Sequence, residues 1–448
     1  MTPEEDRKPR VSVFGLGKLG SVVAGCWASR GFSVIGVDVN PALVDLCKRG
    51  IAPVPEPGLD RVFREAAPRL TATSDASQAV HDSDITMIVV PTPSRPDGGY
   101  ALDYVLSACE AIGSALRSKS GYHVIVVKST VLPGSCDREI VPSIERASGK
   151  RCGSDFGFCY NPEFIALGNV VQNLLRPDLL LVGESDARAG DLLTEVHARM
   201  LGEDAPPMPR MSCANAELAK IAVNSFVTMK ITFANLIAQM CEALPGGNAD
   251  VVTNAIGLDR RIGSRYLKGG LGFGGPCFPR DNSAMVCLAR ELGLEFPLGE
   301  ATDHANQQVA RRIAEQIRRA TPAGDAVAVL GLSYKPDTPV VEESQGVIIA
   351  SLLADAGLQV RVFDPMALES AREVLGDRVI YSPSIEDCLE GASTVAITTA
   401  WEHFRGAPFH KLPEGTIVFD CWNLCPPEVR KHAEVRTIGI GPLARATA

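Results

Sequence analysis

Val11-Ser12-Val13-Phe14-Gly15-Leu16-Gly17-Lys18-Leu19-Gly20 runs from a short apolar strand straight into three spaced glycines and the start of a helix. Gly15 permits the tight turn and Gly17 lets a pyrophosphate approach bare backbone. Gly20 lets helix and strand pack closely, and the helix N-terminus faces the phosphates. Alone, the pattern is weak. The next apolar run, Phe32–Val37, ends at Asp38, eighteen residues after Gly20, close to the spacing of a ribose-binding acid. A carboxylate there accepts from both ribose hydroxyls and repels a 2′-phosphate, so the pattern predicts NAD rather than NADP. The predicted cofactor contacts are Gly15, Leu16, Gly17, Lys18, Leu19, Gly20 and Asp38. A glycine-rich turn in another α/β fold is the competing reading.

Beyond this turn, β-branched runs at Ile85–Val90, His123–Val127, Phe156–Tyr160 and Leu179–Val182 alternate with helix-length segments, the mark of a parallel sheet covered on both faces. Pro91 and Thr92 follow one run and Ser129-Thr130 another, at strand C-termini where such sheets bind ligands. Each alone reads equally as a plain turn. Glu203–Arg210, with three prolines, breaks the pattern as a linker, and a stretch free of Gly and Pro then runs from Ser212 through Leu244 as a long helix. After a further helix near Glu300–Ala320, strands resume at Ala326–Leu330, Val360–Asp364, Val395–Thr399 and Ile417–Asp420. Val362-Phe363-Asp364-Pro365 weakly echoes Val37-Asp38-Val39-Asn40-Pro41. The expected fold class is α/β: two Rossmann-like, doubly wound parallel-sheet domains joined by a central long-helix region, with segments 1–210, 211–320 and 321–448.

The 448 residues suffice for roughly three domains. With 46% hydrophobic and 22% charged residues and a mean hydropathy of +0.08, the chain has the balance of a folded globular protein. Its 44 Lys and Arg against 53 Asp and Glu give a net charge of −9 with no basic cluster, which argues against nucleic acid as a partner. The apolar strand runs fall far short of the roughly 20 residues of a membrane span. Met1–Arg10 is polar and does not read as a secretory signal, and thirteen cysteines are too sparse for a disulfide scaffold. A cytoplasmic protein with reduced thiols, no membrane partner and no metal is the expectation.

Gly269-Gly270-Leu271-Gly272-Phe273-Gly274-Gly275-Pro276-Cys277-Phe278-Pro279-Arg280-Asp281 places five glycines before one cysteine. So many glycines allow backbone to approach a ligand. With Asp281 at i+4, Cys277 reads as a nucleophilic thiolate, whereas the other twelve cysteines read as small buried hydrophobes and form no zinc set. Beside a nicotinamide, such a thiol captures an aldehyde as a thiohemiacetal, which on a second oxidation becomes a thioester that water cleaves. Glu217, Lys220 and Asn224, spaced i, i+3, i+7, share one face of the long helix. A solvated face explains that stripe as well. However, Leu218, Ile221, Ala222, Val223 and Phe226 around it suggest a helix buried between domains, with Lys220 stabilising an oxyanion and Asn224 holding it in place.

Together with Val90-Pro91-Thr92-Pro93, Lys128-Ser129-Thr130-Val131, Asn161-Pro162-Glu163-Phe164 and Gly331-Leu332-Ser333-Tyr334-Lys335-Pro336, these motifs resemble the UDP-glucose/GDP-mannose dehydrogenase family over nearly the whole chain. The resemblance implies an NAD domain, a central dimerisation region and a C-terminal nucleotide-sugar domain. It also implies two NAD-dependent oxidations of a sugar primary alcohol to a carboxylate. Carried onto this chain, Cys277 is the nucleophile and Lys220 and Asn224 stabilise oxyanions. Asp281 polarises water or accepts a proton, and Thr130 and Glu163 position the hydrolytic water, with Glu163 the candidate base. Phe164, Phe273, Gly274 and Lys335 meet the substrate, and Arg261 reaches the substrate of a neighbouring subunit in a homodimer or higher oligomer.

Two positions depart from the family pattern: Leu167 stands where a second glutamate is common, and Glu342 where an arginine is common. An anion in place of a cation near a pyrophosphate weakens phosphate binding. UDP-glucose is the expected substrate, with a UDP-N-acetylhexosamine or GDP-mannose as alternatives. The competing classes are a single-step hydroxyacid dehydrogenase, which has no use for Cys277, and a degenerate NAD-binding regulatory protein.

Overall fold

Strands β1 (Val11–Phe14), β4 (Ile85–Ile88) and β5 (Val124–Val127) are buried at every residue, as a sheet covered by helices on both faces requires. The computed structural model describes residues 8–442, so the segment Met1–Arg7 lies outside the described residues. These divide into two compact units that meet in sequence between Ala222 and Val223, within one long helix.

In the first unit β2 (Val34–Val37), β3 (Leu70–Thr73), β6 (Gly157–Tyr160), β7 (Val182–Glu184) and β8 (Arg210–Ser212) complete an eight-stranded sheet of order β3-β2-β1-β4-β5-β6-β7-β8. Winding reverses between β1 and β4, which puts the glycine turn and Pro91-Thr92 at the crevice where doubly wound sheets bind ligands. Two expectations change. The strand expected at Leu179–Val182 starts at Val182 and runs antiparallel to β6, a mixed edge on an otherwise parallel sheet. The supposed linker Glu203–Arg210 hydrogen-bonds to that edge, with Leu180 N and Val182 N donating to the carbonyls of Pro207 and Pro209. Prolines lack the N–H that a central strand must donate, but they are tolerated at an edge.

The second unit carries a parallel sheet of β9 (Ala326–Leu330), β10 (Gln359–Phe363), β11 (Ile380–Tyr381), β12 (Ala392–Ile397), β13 (Ile417–Asp420) and β14 (Glu434–Thr437), ordered β11-β10-β9-β12-β13-β14. This is the same winding, and the aspartates of the sequence echo sit at matching strand ends with opposite fates. Asp38, half-buried, accepts from Leu16 N at 2.6 Å and Asn40 N at 2.8 Å and keeps lone pairs for a ligand. Asp364, 2% exposed, accepts from the N–H groups of Leu332, Ser333, Met366 and Ala367, from the Ser333 hydroxyl and from the Trp401 indole. Its capacity is taken up by its own fold.

The long helix spans Cys213–Ala243. Its polar stripe is buried, while Leu218, Val223 and Phe226, expected to seat it, are exposed, Phe226 at 60%. The stripe faces inward because its side chains tie down loops. Glu217 accepts from Gly134 N and Cys136 N, and Asn235 brackets Gly270 N and Leu271 O. Burial raises the Glu217 carboxyl above its ordinary range. By length and a mean hydropathy of 1.4 over its most apolar stretch this helix could cross a membrane, unlike the short strand runs. The buried Glu217, Lys220 and Asn224 are those of a helix packed on protein.

Burial also pushes two histidines of the first unit down, His123 to about 3 and His197 well below its ordinary value, the latter with help from the charge of Lys128. Both are neutral when folded, but they take up protons below about 6.5 once unfolded. Their contribution to stability is therefore whole above that pH and is lost as pH falls toward the folded values, at roughly 1.4 kcal/mol per histidine per pH unit. Melting temperature is expected to drop from pH 6.5 to pH 5. Melting that is flat or rises over that range would refute the assignment.

Candidate active site

The glycine turn is built for close approach. A Cβ at Gly20 would lie 1.8 Å from the Gly15 carbonyl oxygen, so no other residue fits there, while a Cβ at Gly17 would meet nothing within 4 Å and leaves its backbone open to a ligand. Leu16 is buried and directs its N–H to Asp38, Leu19 is half-buried, and Lys18 is exposed. With Asp38 retaining acceptor capacity, these residues fit NAD: bare backbone at a helix start for the pyrophosphate and a carboxylate for the ribose. Across the crevice, Thr92 Oγ1 donates to the Thr130 carbonyl at 2.8 Å and Ser129 Oγ bonds both Val90 N and O, pinning the ends of β4 and β5 together. Pro91 is exposed beside them, and Thr130 is half-buried.

At the end of β5 and β6 lies a buried charged cluster. Glu163 forms an ion pair with Lys128, which also donates to Asn161 Oδ1 at 2.7 Å. His197 Nε2 meets the same Asn161 oxygen at 2.9 Å. The next residue, Phe164, lies under the Lys220 ammonium, 4.7 Å from ring centre to Nζ, a cation–π contact made by a buried lysine.

In the second unit Cys277 is exposed, ten of the other cysteines are buried and two are half-buried. Burial pushes the thiols of Cys26, Cys109 and Cys388 up to about 12, keeping them inert at neutral pH. Cys277 precedes the helix Phe278–Glu291, where backbone N–H groups favour negative charge. One turn on, Asp281 is buried and accepts from Asn224 Nδ2 at 2.6 Å, which ties the cysteine helix to the long helix. The loop before Cys277 is clamped. Asn306 bonds both Phe273 N and O, Gly275 N donates to the Glu342 carbonyl at 2.9 Å, and a Cβ at Gly274 would stand 2.2 Å from the Glu343 carbonyl oxygen.

The structure therefore pairs Lys220 with Phe164, Asn224 with Asp281, and Thr92 with Thr130. Arg261 stands apart, with its side chain 88% exposed and paired to Asp259, and Lys335 lies 6.0 Å from the Tyr334 ring centre. At the two departures, Leu167 is half-buried against the first unit's core, and Glu342 exposes its side chain while its carbonyl holds the cysteine loop. Sequence reasoning assigned nothing to Lys128, Asn161 or His197. The available signal was a lysine ending the apolar run His123–Val127, a place where an unpaired charge does not survive.

Comparison with known proteins gives the family of the chain and agrees with its fold. Three domains of the UDP-glucose/GDP-mannose dehydrogenase family match: the NAD binding domain over residues 9–201, the central domain over 214–308 and the UDP binding domain over 328–427. The chain is 38% identical to the UDP-glucose 6-dehydrogenase AglM of Haloferax volcanii over 397 residues, covering 88% of this chain and 92% of that one. It is also 38% identical to the GDP-mannose 6-dehydrogenase of Pseudomonas aeruginosa over 359 residues, covering 79% and 81%. Its fold matches a UDP-glucose dehydrogenase structure from the archaeon Pyrobaculum islandicum with a TM-score of 0.88 at 36% identity, over 98% of this chain and 100% of that one. With all three family domains matched in order along the chain and relatives 38% identical over most of its length, the chain belongs to the UDP-glucose/GDP-mannose dehydrogenases, NAD-dependent nucleotide-sugar 6-dehydrogenases.

Proposed function

We propose that this chain is a UDP-glucose 6-dehydrogenase that oxidises the sugar C6 alcohol to the carboxylate in two steps through Cys277. The observation that carries the reading is the one exposed thiol among thirteen, at a helix start, on a loop held open by glycines and clamped at both ends. NAD, when bound, accepts a hydride in each of the two oxidations. Lys220 and Asn224 stabilise the oxyanion that forms as the alcohol proton leaves and again in each tetrahedral adduct. Cys277 Sγ adds to the aldehyde carbon, so that the second oxidation leaves a thioester. Glu163 then takes a proton from the attacking water, which Thr130 and Asp281 help to position. Phe164, Phe273, Gly274 and Lys335 line the substrate, and Pro91, Thr92 and Thr130 flank the cofactor.

UDP-glucose is favoured because UDP-glucose 6-dehydrogenases of Haloferax volcanii and Rhizobium meliloti are 38% and 36% identical over 88% and 94% of this chain, whereas a GDP-mannose 6-dehydrogenase of Pseudomonas syringae covering 92% of it is 33% identical. A second copy of the chain is the proposed cover for the outward apolar face of the long helix, where Phe226, Phe233 and Met240 are exposed, with Arg261 of one copy serving the substrate of the other. A cytoplasmic location is proposed, since the mechanism needs Cys277 reduced.

NADH formation across UDP-glucose, UDP-N-acetylhexosamines and GDP-mannose tests the reading. UDP-glucose is expected to give the highest kcat/KM and two NADH per sugar acid, from a particle of at least twice the 47.6 kDa chain mass by light scattering. Preference for another sugar reassigns the substrate, and one NADH with a released aldehyde refutes the two-step mechanism.

A further inference from the structure

Lys128 is 2% exposed, and each of its ammonium protons points at a named acceptor: Asn161 Oδ1 at 2.7 Å, the Asn161 carbonyl at 3.4 Å and Glu163 Oε1. Asn161 cannot be turned over, because its Nδ2 donates to the Leu181 carbonyl at 2.7 Å. Its Oδ1 therefore faces Lys128 and His197 and accepts from both. His197, kept neutral by burial, must carry its proton on Nε2 to make that bond. The chain from His197 through Asn161 to Lys128 thus leaves one direction for the remaining ammonium proton, toward Glu163. Glu163 is buried with one oxygen committed, and its Oε2 accepts no hydrogen bond among the described residues.

A buried ion pair is weak evidence for stability, since an apolar pair of similar volume often serves as well; what it supplies is a fixed geometry. We propose that Lys128 is a positioning residue for the hydrolytic step alone: it fixes the Glu163 side chain with Oε2 presented to water, and it takes no part in either oxidation. This rests on the two-step reading above. In that step the water oxygen bonds to the thioester carbonyl carbon as the carbon–sulfur bond breaks, and Sγ leaves as thiolate. One water proton passes to Glu163 Oε2 and the other leaves the new carboxylic acid for solvent. No electrons are exchanged.

The test is rapid mixing of Lys128→Met with saturating NAD and UDP-glucose. The expected record is two NADH per site at the wild-type rate, followed by a steady state roughly 10²-fold slower, the scale of a general-base contribution, with KM falling alongside kcat so that kcat/KM is unchanged. Acid-quenched protein should carry the sugar nucleotide on the Cys277 peptide by mass spectrometry. A burst slowed as much as the steady state, or quenched protein without the adduct, would overturn the proposal. Should the single variant fail to fold, the charge-neutral pair Lys128→Met/Glu163→Gln decides. Its steady-state rate should match Glu163→Gln within about threefold, because Lys128 acts only through that carboxylate, whereas a further tenfold loss would assign Lys128 a separate role. Wild-type protein yielding one NADH per sugar would instead remove the two-step reading, and the role of Lys128 with it.

Discussion

Cys277→Ala is expected to lower complete oxidation of the sugar alcohol to the acid by a factor on the order of 10⁴ or more, the scale at which removing a covalent nucleophile acts. Melting temperature and NAD affinity should not move. The thiol is exposed, so truncating it leaves no cavity, and the dinucleotide turn belongs to the other compact unit. The alcohol can still reach the aldehyde, but no sulfur then holds that carbon for the second oxidation, so the variant should release aldehyde with at most one NADH per sugar. Stopped-flow absorbance of NADH together with aldehyde trapping measures both. Two NADH per sugar at a near wild-type rate from the alanine variant would show that the thiol is not the nucleophile and would return the chain to the single-step hydroxyacid class.

Lys220→Met should divide activity from stability. Lys220 is buried over the Phe164 ring, and among the described residues no carboxylate lies within ion-pair distance of its ammonium. A buried cation that no anion neutralises costs the fold free energy, and such groups persist where a reaction needs them. The methionine variant keeps the stem and removes the charge, so its melting temperature should hold or rise while kcat falls by roughly 10²–10³, as when one donor to a developing oxyanion is removed. Equal losses of stability and activity would make Lys220 a structural lysine. An unchanged kcat would remove it from the mechanism altogether.

Local pattern made much of this legible. The dinucleotide turn could be read because its three glycines and Asp38 lie within one strand–turn–helix–strand unit, where spacing along the chain is also spacing in the fold. The cysteine loop could be read because its five glycines immediately precede Cys277 in sequence. The charged cluster could not, since Lys128, Asn161, Glu163 and His197 come from the ends of two strands and a distant helix, and no periodicity links them. On the long helix the buried polar stripe and Ile221 follow the sequence expectation, whereas Leu218, Val223 and Phe226 do not, because they are exposed. Apolar residues ordinarily mark the buried side, yet here the polar stripe turns inward to satisfy backbone groups of neighbouring loops, and Phe226 faces out.

The sequence by itself determined the doubly wound architecture and the dinucleotide turn and singled out the thiol that stands exposed, because strand burial, turn geometry and loop exposure follow from residues adjacent along the chain. Only the tertiary structure decided which charges are paired. It sealed Asp364 with six donors and left Asp38 with capacity to spare, and it paired Glu163 with Lys128 while, among the described residues, leaving Lys220 without a carboxylate in ion-pair reach. Whether a buried charge is neutralised depends on groups brought together from far along the chain, and that proximity exists only once the sheets have formed.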